Sequence, residues 1–279
     1  MSSSPSLRAR WRRLALGLPT VLGIGRGGWF IPHRYASLLP PPGVQPAYPE
    51  IEALFEHNQA AFGHVLDRID AHAAQLEGLS ELMNQAWFPS LDAAAAYALI
   101  REREPRRIIE VGSGHSTRVL ARALQNAGGR IWAIDPAPRA DVAGLNSVTV
   151  VPSALQAVPR DLFDRLEARD VLFVDSSHIL MPGSDVDLVL NRILPRLPAG
   201  ILVHLHDIFL PFDYPQEWGW RNYNEQQGVF PLLATGAYRP VFSSVWAERR
   251  SSDRLARTVV ARLPRPANAM ATSLWLEKG

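Results

Sequence analysis

The stretch RRIIEVGSGHSTRVLARAL, residues 106–124, passes from apolar strand-like residues through two glycines into a helical pattern within a few positions. In an open parallel sheet, ligands bind beyond the carboxyl ends of the strands, where a strand turns into its helix. Gly112 and Gly114 sit at that turn. They let the backbone bend and approach a ligand with no Cβ in the way, and the next helix offers free N–H groups at its start.

The acids around the turn narrow the ligand. A dinucleotide fingerprint, G-x-G-x-x-G, requires a third glycine where this chain has Thr117. Glu110 precedes the first glycine, and Asp135 closes the next apolar run, RIWAID (130–135). An ionised carboxylate is a pure acceptor, suited to ribose hydroxyls at the end of a second strand and unwelcome beside a pyrophosphate. The expected ligand is a nucleoside without phosphates that carries a positive or zwitterionic tail.

Outward from the turn, RIIEV (107–111), RIWAID (130–135), SVTVV (147–151), DVLFVD (170–175) and GILVHLHD (200–207) are short, nearly all apolar runs. Helical segments at 116–127, 160–169 and 184–196 separate most of them. This alternation predicts a parallel sheet covered on both faces. RPVFSSVWAER (239–249) and AMATSLWLEK (269–278) read as two further strands, an antiparallel edge pair. Before the sheet, apolar spacing predicts one long helix over 49–77 and a second over 90–104, with Ser90 as N-cap and Pro105 ending it. Gly183, Ser184 and Asp185 read as another helix start.

The N-terminal region differs in character. Arg8, Arg10, Arg12 and Arg13 open the chain with no acid before Glu50, and the apolar segment LALGLPTVLGIG (14–25) follows them. About 12 residues cannot span a bilayer, which needs roughly 20. The segment is expected to pack on the body, with peripheral contact to a membrane surface as the alternative. The expected organisation is a basic arm and Pro-rich linker (1–48), accessory helices (49–104) and a ligand-binding domain (105–279). A net charge of +2 and the lack of a basic aromatic stripe argue against nucleic acid as a partner. The absence of cysteine excludes disulfides, thiolate catalysis and cysteine-bound zinc.

At Glu110, Gly112, Gly114 and Asp135 the sequence resembles the class I S-adenosylmethionine-dependent methyltransferases, over roughly residues 85–279. WF, RRIIEVGSGHST, VLFVDSSH, GSDVDLVLNRILPRLPAGILVHLHDIFLPFDYP, RNYNEQ and GWFIPHRYA (28–36) resemble more narrowly a bacterial subgroup whose substrates are mostly unassigned. The resemblance implies a Rossmann-like α/β fold with a seven-stranded, mostly parallel sheet whose last strand is antiparallel, plus an N-terminal helical extension. It implies S-adenosyl-L-methionine as cofactor, held by Glu110, Gly112, Ser113, Gly114, Ser116, Thr117, Asp135, Pro136, Ser153 and Asp175. Where the family carries an adenine-side acid after the third strand, VVPSAL (150–155) has Ser153.

Methyl transfer is an in-line displacement, so the protein aligns the acceptor and helps remove its proton. His178 follows the fourth run, while His206 and Asp207 end the fifth; these are the candidate catalytic residues. In the family's metal-dependent branch, acids at the positions of Asp175 and Asp207 hold a divalent ion, but the amide that follows there is Ile208 here. A metal-free base, His178 or His206, is preferred, since free imidazole titrates near neutrality, at about 6.5. The aromatic loop FLPFDYPQEWGWRNYNEQ (209–226) offers Asp213, Tyr214, Trp218, Arg221 and Glu225 to a sugar-like or natural-product acceptor.

The expectation is a cytoplasmic, homo-oligomeric O-methyltransferase of a small-molecule acceptor. A non-catalytic S-adenosylmethionine-binding or assembly protein is the alternative. An NAD-dependent oxidoreductase fails at Thr117 and Glu110.

Overall fold

The structure, a computed structural model, describes residues 7–41, 43–138, 140–142 and 144–279. The first six residues of the expected arm and Pro42 of its linker lie outside the described residues. The helices are α1 (Leu7–Val21), α2 (Pro49–His57), α3 (Gln59–Ala71), α4 (Ala73–Glu77), α5 (Ser80–Met83), α6 (Ser90–Arg103), α7 (His115–Ala123), α8 (Asp161–Asp164), α9 (Asp185–Leu188), α10 (Glu225–Ala234), α11 (Ser244–Arg250) and α12 (Ser252–Leu255). The strands are β1 (Arg107–Val111), β2 (Arg130–Ile134), β3 (Val148–Val151), β4 (Val171–Val174), β5 (Leu202–Leu205), β6 (Tyr238–Ser243) and β7 (Leu274–Lys278).

All seven strands join one sheet in the order β3-β2-β1-β4-β5-β7-β6. The first five are parallel, with Ile109 of β1 opposite Trp132 of β2 and Leu172 of β4. Central strands β4 and β5 are buried along their whole length, which is why they read as unbroken apolar runs. The strand order reverses between β1 and β4, where a parallel sheet opens a crevice.

The last two strands form the expected antiparallel pair at one edge of the sheet, with β7 inserted between β5 and β6. The apolar run after Ser243 is helix α11 rather than continued strand, because the Ser243 hydroxyl caps it by accepting the Trp246 N–H. The long helix expected over 49–77 is three helices, broken at Asn58 and His72. Asn58 donates its side-chain amide to the Leu54 carbonyl, a local bond that competes with regular helix.

The chain divides into two compact units: the described residues up to Pro46 with Phe212–Tyr223, and Ala47–Pro211 with Asn224–Gly279. In the second unit the N-terminal helices are part of the core rather than accessory to it. Helix α6 is buried from Ser90 to Ile100 and packs on both α3 and α7, so its alanines need no amphipathic stripe. Phe55 and Phe62 meet Trp246 and Phe242 edge-on, at 5.7 and 6.1 Å between ring centroids. Helix α6 begins at Ser90 itself, whose hydroxyl donates to the Pro264 carbonyl instead of capping.

In the first unit the Pro-rich linker and the aromatic loop hold each other. The Asp213 carboxylate accepts the Gly43 N–H at 2.7 Å, and the Arg221 guanidinium stacks 4.3 Å from the Trp218 ring and donates to the Tyr223 hydroxyl. These contacts are internal to the unit, so they account for Asp213, Trp218 and Arg221 without an acceptor.

Candidate active site

Gly112 ends β1 with φ +81°, a conformation that favours glycine. A Cβ there would collide with the Asp175 carbonyl oxygen, so the ends of β1 and β4 meet only because the residue is glycine. Thr117 explains the missing third glycine. Its hydroxyl accepts the Gly114 N–H at 2.9 Å and closes the first turn of α7 from inside.

Beyond these strand ends lies a cleft of about 280 Å³. Of the expected cofactor residues, Gly112, Ser113, Gly114, Ser116, Asp135, Pro136, Ser153 and Asp175 line it. Glu110 and Thr117 are fully buried. Phe88, His115 and Gln156 also line it, and their residue types gave no sign of that in the sequence. Asp135 accepts the Ser113 N–H at 2.8 Å and the Ala137 N–H at 2.7 Å, so one carboxylate fixes the glycine turn and the turn after β2 together. Each oxygen keeps acceptor capacity for a further donor.

Glu110 accepts the Ser116 hydroxyl through Oε1 at 2.6 Å, while Oε2 is buried without a hydrogen-bond partner. Burial pushes its pKa up to about 8, against partial relief from the hydroxyls of Ser116 and Thr117. An acid with an unpartnered oxygen behind the turn and spare acceptor capacity at Asp135 fit a hydroxyl-bearing ligand with a cationic tail.

Asp175 joins this cleft to a second, buried cluster. Its Oδ1 lies 3.3 Å from His178 Nε2 and 3.6 Å from His206 Nδ1. Asp207 reaches both histidines, at 3.5 Å from His178 Nε2 and 3.4 Å from His206 Nδ1. Glu225, at the start of α10, meets His178 Nδ1 at 2.9 Å. Of the loop residues expected at the acceptor, Glu225 is the one that belongs to this cluster. Burial disfavours charge on either imidazole, but Asp175, Asp207, Glu225 and Asp92 outweigh it and hold both histidines well above their ordinary pKa. Asp175 is correspondingly held well below the usual carboxylate range, the two imidazoliums outweighing its own burial. At neutral pH the histidines are therefore cations that donate.

The cluster stores backbone strain as well, since His178 and Asp207 have φ +60° and +55°, in the left-handed region. Sequence reading missed the residues that support it. Asp92 of α6 accepts the Thr272 and Ser273 N–H groups at 2.9 and 3.0 Å and lies 3.4 Å from His206 Nε2. The Thr272 hydroxyl donates to Asp207 at 3.0 Å. An acid in the first turn of an alanine-rich helix looks like an ordinary dipole partner, and nothing local marks it as buried. His204 shares the strand face but is a core residue. It stacks on Phe173 at 3.7 Å, pairs with the Ser273 hydroxyl, and burial keeps it neutral, with His206 adding to the effect.

Ser184 does cap α9, accepting the Asp187 N–H, while Asp185 reaches back to the Ser177 N–H at 2.9 Å. As placed, Asp175 and Asp207 are each paired with both histidines. Among the described residues no group of three or more His, Asp or Glu side chains is arranged to hold a metal ion.

Fold and site together define a Rossmann-like α/β domain with a ligand cleft beyond the ends of its parallel strands. Residues 109–208 match a family described as a methyltransferase domain. Among solved structures, the chain is similar to the SAH-bound methyltransferase PaMTH1 of Podospora anserina, at 13% identity over 90% of this chain and 99% of that one, with a TM-score of 0.41. It is similar also to the O-methyltransferase of Bacillus cereus in complex with SAH, at 17% identity over 71% of this chain and 84% of that one, with a TM-score of 0.38. No curated protein matches the chain.

Asp135→Ala removes both backbone anchors of the cleft at once. It is expected to weaken S-adenosylmethionine binding by roughly 1.5 to 3 kcal/mol, about 10- to 150-fold, in calorimetric titration. Unchanged affinity would remove Asp135 from the donor site.

Proposed function

We propose that the chain transfers a methyl group from S-adenosylmethionine to a hydroxyl of a small molecule. The observation that carries this is Asp175, which faces the donor cleft and is paired with His178 and His206 through one carboxylate. S-adenosylmethionine, when bound, supplies an electrophilic methyl carbon on a sulfonium. The chain's own task is to hold that donor, exclude water and take the proton from the acceptor oxygen. Gly112 and Gly114 admit the donor to the turn, Asp135 holds its ribose, and Glu110 offsets its positive tail.

The proton passes to the histidine cluster, which must first lose one of its own. A cluster with a raised pKa yields a base stronger than free imidazole, and its basic form appears only as pH rises through that pKa. The rate at saturating substrates is therefore expected to climb from neutral to alkaline pH. A rate that is level from about pH 6 to pH 9 would rule out a histidine base.

The direct test is calorimetric titration of S-adenosylmethionine into the purified protein, with NAD as control and parallel arms containing EDTA or Mg2+. A screen of hydroxyl-bearing acceptors for methyl transfer follows. Donor binding that is indifferent to metal, with turnover of a hydroxyl compound, supports the reading. Binding of NAD in place of the methyl donor would overturn it, and donor binding with no turnover across the screen would favour a non-catalytic binding protein.

A further inference from the structure

We infer that α1 and the segment after it form an in-plane anchor for an anionic lipid surface. In α1, Leu7, Trp11, Leu14, Leu18 and Val21 recur at the spacing i, i+4, i+7, i+11, i+14. At 100° per residue these fall within a stripe about 80° wide. None of the five is covered: Leu7 is 72% exposed, Trp11 64% and Leu14 54%. Arg8, Arg10, Arg12 and Arg13 occupy the flanks and the opposite side.

The exposed apolar surface continues past the helix. Gly27 packs closely against the Leu16 backbone, and its N–H donates to the Thr20 hydroxyl at 2.9 Å, so the chain folds back along α1. Ile24, Trp29 and Ile31 in this returning segment are 77%, 56% and 63% exposed. No helix among the described residues is long and apolar enough to cross a membrane. A narrow apolar stripe carrying a tryptophan, bordered by arginine, lies in the interface rather than through it.

Charge selects the occupant. Residues 1–49 contain six arginines and neither aspartate nor glutamate. Against a second copy of the same face these arginines meet like charges; against anionic headgroups every one is matched, and the apolar stripe reaches the acyl boundary beneath. The anchor is independent of which acceptor the transferase uses.

The test is flotation of the full chain with two kinds of vesicle, phosphatidylcholine alone and phosphatidylcholine with about 30% phosphatidylglycerol. Binding is expected to the anionic vesicles and to weaken when salt is raised to about 0.5 M. Replacing Arg8, Arg10, Arg12 and Arg13 together by Gln is expected to weaken it by about 100-fold or more. The double variant W11E/L14E is expected to abolish it. Donor affinity should be unchanged in both variants, which shows that the second unit is still folded. Failure of the wild-type chain to float with anionic vesicles overturns the proposal, as does equal binding to neutral ones. So does a stable oligomer in light scattering that W11E/L14E dissolves while vesicle binding is absent, since the occupant is then a second copy.

Discussion

His178→Gln is expected to lower the rate of methyl transfer by about 100- to 10,000-fold while donor affinity changes by no more than about threefold. The side chain bridges three carboxylates: Nδ1 meets Glu225, and Nε2 meets Asp175 and Asp207. Glutamine can donate an amide hydrogen to one of them, but it carries no charge and cannot act as a base at accessible pH. A loss confined to kcat places His178 at the acceptor proton. Removing a buried cation also leaves its partners uncompensated, at a cost of about 3 to 5 kcal/mol in stability. Glu225 moderates that cost, because burial already raises its pKa and it can take up a proton. Thermal melting and donor titration of the same preparation separate the two effects. If the variant melts normally, binds donor and turns over at the wild-type rate, the cluster serves structure alone.

The cleft at the glycine turn was legible because its signals are local in sequence. Glu110, Gly112, Gly114 and Asp135 occupy one turn and the end of the following strand, where closely spaced glycines and a strand-end carboxylate together mark a ligand turn. The five parallel strands were legible for a similar reason, since burial on both faces leaves unbroken apolar runs. The histidine–carboxylate cluster is assembled across long sequence separations. Asp92, Thr272 and Glu225 converge on His178, His206 and Asp207 only after α6 is buried and β7 has inserted beside β5. Neither step leaves a periodic trace. The same separation reversed the expectation for the histidines. Free imidazole is a base near neutrality, whereas an imidazole enclosed by carboxylates is a cation. Nor did composition reveal that Asp213 and Arg221 serve the linker and the aromatic rings of the first unit.

Glu110 gives the second large effect, this time on stability. Its pKa is about 8 in the folded chain against 4.5 for an ordinary glutamate. Between those values the folded chain holds a proton that the unfolded chain has released, so unfolding loses a proton and stability falls as pH rises. The loss begins above the unfolded value and is complete once pH exceeds the folded one. At 1.36 kcal/mol per pKa unit it amounts to about 4 to 5 kcal/mol by pH 9. Glu110→Gln keeps an acceptor for Ser116 and places a neutral amide where Oε2 has no partner, so it escapes this slope. Ligand-free wild type and variant are therefore expected to melt together near pH 5 and to diverge by about 10 °C at pH 9, the variant being the more stable. A cationic donor tail near the carboxylate favours its ionised form, so donor binding by the wild type should release a proton and tighten as pH rises. Calorimetry in buffers of different ionisation enthalpy reads that proton directly, and E110Q should show neither the release nor the tightening. Parallel melting curves for the two proteins from pH 5 to pH 9 would show that Glu110 is ionised in the free fold. The unpartnered oxygen would then have to be satisfied by water before the donor arrives.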